Sequence, residues 1–251
     1  MLSIDRHKKR ILFLVSGNGG LLQTVINACE YGILNAEIIG VVTDKNCYAL
    51  RRAEISGIST HFFDRKSIGD LEFQKSIYHT IHGYDPDIII MTFDSLLDEK
   101  TVETFGNRII NVHPALLPAF KGLNGIDNTL NSGVRYGGAT IHFIDKNMDE
   151  GCVIAQAVLP IPPNITKEVY GIKIFKEMVK MLHQVVYWIL SDDIQILKGR
   201  INIRNGDYSS YPICPSGNIV NIYTEDENLF TKILGGSLNS GSFNESRNNT
   251  I

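Results

Sequence analysis

Asn111 and His113 stand two residues apart in the run Asn111-Val112-His113-Pro114-Ala115-Leu116-Leu117-Pro118. In extended backbone that spacing puts both side chains on one side of the strand. A carboxamide N–H beside an imidazole suits a carbonyl oxygen that becomes an oxyanion, and the imidazole exchanges protons near neutral pH. Pro114 and Pro118 stiffen the loop that follows. Taken alone, the run reads equally well as a turn with a satisfied histidine. Asp149 alters the balance. It lies 36 residues beyond His113, in Asp145-Lys146-Asn147-Met148-Asp149-Glu150-Gly151. That loop joins two strand-like runs, so its carboxylate can fold over the sheet edge toward the imidazole.

A second feature is Ser16-Gly17-Asn18-Gly19-Gly20, between a strand-like and a helix-like run. Glycines let backbone N–H groups approach an anion, and a helix N-terminus adds partial positive charge. The dinucleotide pattern fails, because Leu22 stands where its third glycine belongs, and no GK[ST] of a P-loop is present. Asp44, after the second strand, keeps a ribose-binding acid open, and a plain tight turn is the bland alternative. The remaining histidines form no metal-ligand spacing. His79 and His82 read as surface positions on a helix, His61 has no evident partner, and His142 reads as a packed strand residue rather than a catalyst.

Strands and helices must place these groups. Arg10–Val15, Glu37–Thr43, Thr60–Phe63 and Asp87–Met91 are β-rich, and helical stretches at 21–31, 49–56 and 71–82 alternate with them. Runs apolar on both faces mark parallel strands covered by helices. The expected fold is therefore α/β, with a doubly wound, Rossmann-like, mostly parallel sheet. Gly137–Ile144 and Val153–Leu159 read as antiparallel neighbours. Ile165–Leu190 reads as a long helix with Val169, Ile172, Phe175, Val179, Leu182 and Val186 on its core stripe. Beyond Gly199, Ile201–Ile203 and Ile219–Ile222 read as the two strands of a hairpin, and 235–251 as a disordered Ser/Asn/Gly-rich tail. The expected division is a catalytic domain over 1–195, a C-terminal β-rich appendage over 196–234, and the tail.

Composition narrows the class. The 251 residues are 43% hydrophobic and 20% charged with a net charge of −3, which is ordinary globular composition and argues against nucleic-acid binding by bulk charge. Ile11–Val15, although preceded by basic residues, is too short for a signal-peptide core or a membrane span. Cys29, Cys47, Cys152 and Cys214 are far apart, which fits reduced thiols in a cytoplasmic protein.

The run NVHPALLPAFKG, followed by GATIHFIDKNMDEG and VIAQAVLPI, resembles the folate-dependent formyltransferase family. Together with the SGNG turn it is most similar to the glycinamide ribonucleotide branch, over about Arg10 to Leu190. The resemblance implies 10-formyltetrahydrofolate as donor, an amine as acceptor, no metal, and Asn111, His113 and Asp149 as the catalytic trio. It places the folate near Phe93, Ser95, Leu96, Leu97, Asn147 and Met148. The acceptor falls near Ser16, Gly17, Asn18, Gly19, Gly20 and Pro114.

The sequence also departs from that branch. Gly20 and Leu21 stand where serine and asparagine help hold the acceptor's phosphate. Ser95 replaces an arginine, and Leu123-Asn124-Gly125-Ile126 replaces a loop that carries histidines. With the C-terminal addition, these changes lead to the expectation of a nucleotide-linked amino-deoxy sugar as acceptor, as in O-antigen synthesis, and of a homodimer formed through the appendage. The alternatives are phosphoribosylglycinamide formyltransferase, a formyl hydrolase, and a non-catalytic nucleotide-binding module.

Overall fold

The computed structural model describes residues 8–146 and 149–238. Strands β1 (Lys9–Val15), β2 (Ala36–Thr43), β3 (Thr60–Phe62), β4 (Ile88–Thr92) and β5 (Ile109–His113) run parallel. They alternate with α1 (Gly20–Glu30), α2 (Tyr48–Ile55), α3 (Arg65–Ile68), α4 (Asp70–Tyr84) and α5 (Glu99–Phe105). After α6 (Gly125–Asn131), strands β6 (Tyr136–Phe143) and β7 (Val153–Pro160) extend the sheet antiparallel. Helix α7 (Lys167–Leu190), the hairpin β8 (Ile194–Leu197) and β9 (Arg200–Ile203), strand β10 (Ile213–Cys214), and helices α8 (Asn218–Glu225) and α9 (Glu227–Leu234) complete the chain. The large sheet has the order β10-β7-β6-β5-β4-β1-β2-β3.

Alternation along β1 divides the core. Ile11, Phe13 and Val15 face a layer formed with α1 and α7, while Leu12 and Leu14 face Phe73, Ile77 and Ile81 of α4. Burial on both faces explains the continuous apolar runs of the parallel strands. The order reverses at β1: the chain runs outward through β2 and β3, then crosses back to β4 on the other side of β1. Open α/β sheets place ligands at such a reversal, outside the carboxyl ends of the strands. The Gly-rich turn follows β1, the 93–97 loop follows β4, and Asn111 and His113 end β5.

The C-terminal part differs from the sequence expectation. Arg200–Ile203 does form a hairpin, but with Ile194–Leu197, so the boundary set at residue 195 falls inside β8. Ile219–Ile222 is helical, within α8. Its β-branched residues favour a strand, but tertiary contacts override that preference. The Gln184 side-chain carbonyl accepts the Ile219 N–H at 2.7 Å, satisfying a helix-end donor, and Ile219, Val220 and Tyr223 bury one face. The stripe assigned to α7 holds from Val179 onward, whereas Val169 and Ile172 are 46% and 41% exposed and Tyr170 and Ile174 are buried in their place. Residues 235–238 form an ordered turn with Ser237 buried, so the expected disordered tail does not begin at 235; residues 239–251 lie outside the described residues. No helix among the described residues is long and apolar enough to cross a membrane.

Candidate active site

Antiparallel pairing of β5 and β6 sets Asn111 opposite His142 and His113 opposite Thr140. Thr140 holds the loop that the prolines stiffen. Its hydroxyl donates to the Ala115 carbonyl at 2.8 Å and accepts the Leu117 N–H at 3.0 Å. Gly151 cannot carry a side chain, because a Cβ there would fall 1.7 Å from the Phe143 carbonyl oxygen. That close approach turns the chain at Gly151 back over the end of β6, where Asp149 lies against the histidines.

Asn111, His113 and Asp149 do come together. Asp149 Oδ2 lies 3.6 Å from His113 Nδ1 and accepts the Gly122 N–H at 2.7 Å. Its Oδ1 lies 3.4 Å from Asn111 Nδ2 and 3.5 Å from His142 Nε2. Burial alone would push the Asp149 carboxyl up. Hydrogen bonding to His142, the Gly122 N–H and the charges of His113 and His142 outweigh it and hold the group below the usual carboxylate range. Asp149 is therefore an anion at neutral pH, enclosed by donors.

The hydrogen bonds also fix tautomers. His142 Nδ1 faces the Phe143 carbonyl at 2.8 Å, which requires N–H there, while Nε2 lies 3.2 Å from Asn111 Nδ2 and 3.5 Å from Asp149 Oδ1. His113 Nε2 faces the Phe120 carbonyl at 2.8 Å and must donate, so Nδ1 is the nitrogen that exchanges a proton beside Asp149. Phe120 presents that carbonyl from a left-handed backbone, φ 56°, and Asp149 itself has φ 55°. Such non-glycine conformations cost free energy and cluster at functional sites.

The sequence reading missed Phe120 and Gly122; His142 is the packed strand residue it expected, but its place beside Asn111 and Asp149 was not foreseen. A period of two along β6 puts His142 on the face of Thr140, but only the register with β5 sets it against Asn111.

Two cavities flank the carboxyl end of β4. The smaller, about 90 Å³, is lined by Asn111, His142 and Asp149, by the apolar Met91, Leu96, Leu97, Val102 and Ile144, and by Asp145 and Lys146. Apolar walls with hydrogen-bonding groups at one end fit the chemistry of a flat heteroaromatic ring, and the volume admits its leading edge. Leu96 and Leu97, two of the expected folate-side residues, line this cavity. Phe93 does not, since its ring packs in the core beside Phe73. Ser95 turns away, donating to Asp44 Oδ2 at 2.8 Å. Asn147 and Met148 lie outside the described residues.

The larger cavity is about 500 Å³, and all of Ser16–Gly20 lines it, with Lys45, Tyr48, Asp94, Phe175 and Met178 among its other walls. Pro114 borders neither cavity. Ser16 acts as a brace, its hydroxyl accepting the Asp94 N–H at 2.7 Å across the β1–β4 crevice. Among the described residues, no group of three or more His, Cys, Asp or Glu is arranged to hold a metal ion.

An amide N–H beside two histidines, an ionised carboxylate among them, and a cavity on each side of the β4 end suit group transfer at a carbonyl carbon. The formyl transferase family profile matches residues 9–186. Phosphoribosylglycinamide formyltransferase from Haemophilus influenzae is 30% identical over 207 residues, covering 79% of this chain and 98% of that protein. The Escherichia coli protein of that name is 32% identical over 154 residues, 60% of this chain and 73% of the other. Glycinamide ribonucleotide transformylase 1 from Symbiobacterium toebii superposes with a TM-score of 0.76 at 29% identity, over 81% of this chain and 97% of that one. The chain belongs to the formyl transferase family, and it is a formyltransferase with 10-formyltetrahydrofolate as co-substrate.

These relatives overturn the expected sugar acceptor, since the two matched over nearly their whole length are named for phosphoribosylglycinamide and for glycinamide ribonucleotide. That expectation treated the side chains missing at Gly20 and Leu21 as a lost phosphate site. Backbone N–H groups of a glycine turn and a helix N-terminus bind anions without side chains. Crowding also explains the glycine at position 20: a Cβ there would lie 3.1 Å from the Phe175 ring and 3.3 Å from the Ser237 carbonyl oxygen.

Proposed function

We propose that the chain formylates phosphoribosylglycinamide, with Asn111, His113 and Asp149 as its catalytic residues. The observation that carries this is Asn111 and Asp149 in the wall of the smaller cleft on one side of the β4 end, with a cavity of about 500 Å³ on the Gly-rich turn on the other. The acceptor phosphate sits against the N–H groups of that turn and the start of α1, within reach of Lys45, and the amine points past β4. The folate lies in the smaller cleft against Leu96 and Leu97.

The neutral amine attacks the formyl carbon and forms a tetrahedral intermediate with negative oxygen. Asn111 Nδ2 exchanges its long 3.4 Å contact with Asp149 for that oxygen. His113 Nδ1, beside anionic Asp149, takes up the proton in transit, and its N–H then gives the oxyanion its second partner. The proton lost by the amine passes through this pair to the departing folate nitrogen, so the folate leaves neutral. One oxyanion donor of this type contributes roughly 3 to 4 kcal/mol.

The same reading places the enzyme in the cytoplasm. A homodimer rests on the exposed Ile196 and Leu197 of the β8–β9 hairpin, with light scattering as its check. The function is tested with purified chain and 10-formyltetrahydrofolate, following folate absorbance with phosphoribosylglycinamide, with an amino-deoxy sugar nucleotide, or with no amine. Turnover that requires phosphoribosylglycinamide is the expected result. Formate release without an amine would replace the transferase reading with hydrolysis.

A further inference from the structure

About a fifth of the chain lies outside its match to the Haemophilus influenzae relative, although that relative is covered over 98% of its length. Helices α8 and α9 follow the end of the family match at residue 186, and they are not a loose appendage. Tyr223, Phe230 and Ile233 are buried in the layer shared with α1 and α7. Asn27 of α1 donates from Nδ2 to the carbonyls of Ile233 at 2.9 Å and Gly235 at 3.2 Å. The chain is thereby led from α9 back to the start of α1.

There it meets the Gly-rich turn. Arg52 is 5% exposed and joins the two segments: Nε donates to the Asn18 carbonyl at 2.7 Å and Nη1 to the Gly236 carbonyl at 3.1 Å. Ser237 is buried, and its carbonyl oxygen sits where a side chain at position 20 would project. Ser237 and Leu238 then line the large cavity, alongside the turn, Phe175 and Met178. The segment that the C-terminus adds borders the place where the turn lacks a side chain.

We propose that the Ser237–Leu238 segment is a wall of the acceptor site that selects the acceptor, and that Arg52 is the positioning residue fastening this wall to the Gly-rich turn. The proposal rests on the larger cavity being the acceptor site. A wall there acts on acceptor binding and leaves the folate cleft, on the other side of β4, untouched.

The test uses the full chain with Leu238→Glu, Leu238→Gln and Arg52→Met. An acid at 238 repels a phosphorylated acceptor, so Leu238→Glu raises the acceptor KM at least tenfold, with the folate KM and kcat at saturating acceptor within twofold. Leu238→Gln, similar in size and neutral, gives a smaller rise, and Arg52→Met raises the acceptor KM in the same selective way. Acceptor and folate KM rising together, or an acceptor KM unmoved in Leu238→Glu, would overturn the proposal. Calorimetric titration with ribose 5-phosphate separates this inference from the functional one. Binding that is weakened by Leu238→Glu supports the wall even if phosphoribosylglycinamide is not formylated. No binding to the wild type, or binding unchanged by the substitution, overturns it even if that acceptor is formylated.

Discussion

The catalytic corner and the large cavity border the same strand end but are made from different materials. At the corner, Asn111, His113, His142 and Asp149 come from adjacent strands and one loop, and hydrogen bonds and close ion-pair contacts among them and to the Phe120, Gly122 and Phe143 backbone engage every imidazole nitrogen and carboxylate oxygen. Across β4, the cavity is walled by a glycine turn, apolar side chains of α7 and a C-terminal segment more than 200 residues from that turn. Charge development in a transition state demands fixed donors and tolerates little change of residue type. Acceptor choice needs shape and a few anion donors, which unrelated parts of a chain can supply.

The largest effects are expected at the corner. Asn111→Ala, His113→Asn and Asp149→Asn each lower kcat about a hundredfold or more, with folding intact by circular dichroism. Because these residues act as a unit, a double variant loses little beyond the worse single one. Near-wild-type turnover in any of the three would remove that residue from the mechanism. Gly151→Ala tests the same corner through the backbone: its Cβ cannot coexist with the Phe143 carbonyl, so the loop carrying Asp149 shifts. Turnover falls as in Asp149→Asn, while folate binding changes less.

His142→Gln sharpens the distinction between chemistry and positioning. The amide keeps a hydrogen-bonding group beside Asn111 and Asp149, but it cannot lend charge to Asp149, so kcat falls about tenfold. A hundredfold loss would make His142 a proton carrier instead of a brace.

The smallest effect belongs to the cavity side, where His183 of α7 is fully buried and bonded to the Tyr223 hydroxyl at 2.7 Å. Burial brings its pKa down to about 3. The unfolded chain therefore binds the extra proton between the ordinary histidine value near 6.5 and that lower one. Stability from the neutral ring is complete above about pH 6.5 and is lost as pH falls below it, at up to about 1.4 kcal/mol per pH unit. Replacing His183 with Gln flattens that part of the stability–pH curve measured by urea unfolding, and kcat at pH 7.5 stays within twofold.

Much of this was legible in residue order. Two-sided apolar runs announced the parallel strands because covered strands need no polar face. The Asn111–His113 spacing and the carboxylate on the following hairpin loop announced the trio, because extended backbone fixes direction every second residue. Phe93 was misread because a side chain beside a ligand loop can equally point inward to Phe73, which alternation from a strand end does not decide. The strand expected at Ile219–Ile222 failed because propensity is local, whereas Gln184 and the α7 surface that favour a helix there lie about 35 residues away.

The sequence by itself determined the class of sheet, the chemistry of the corner and the turn able to meet an anion, since each depends on residues near one another in the chain. Only the tertiary structure decided that His142 faces Asn111, that Ser95 turns to Asp44, and that Ser237 fills the space beside Gly20. Those depend on strand register and on contacts between distant segments, and a one-residue change of register would turn every side chain of β6 to the opposite face.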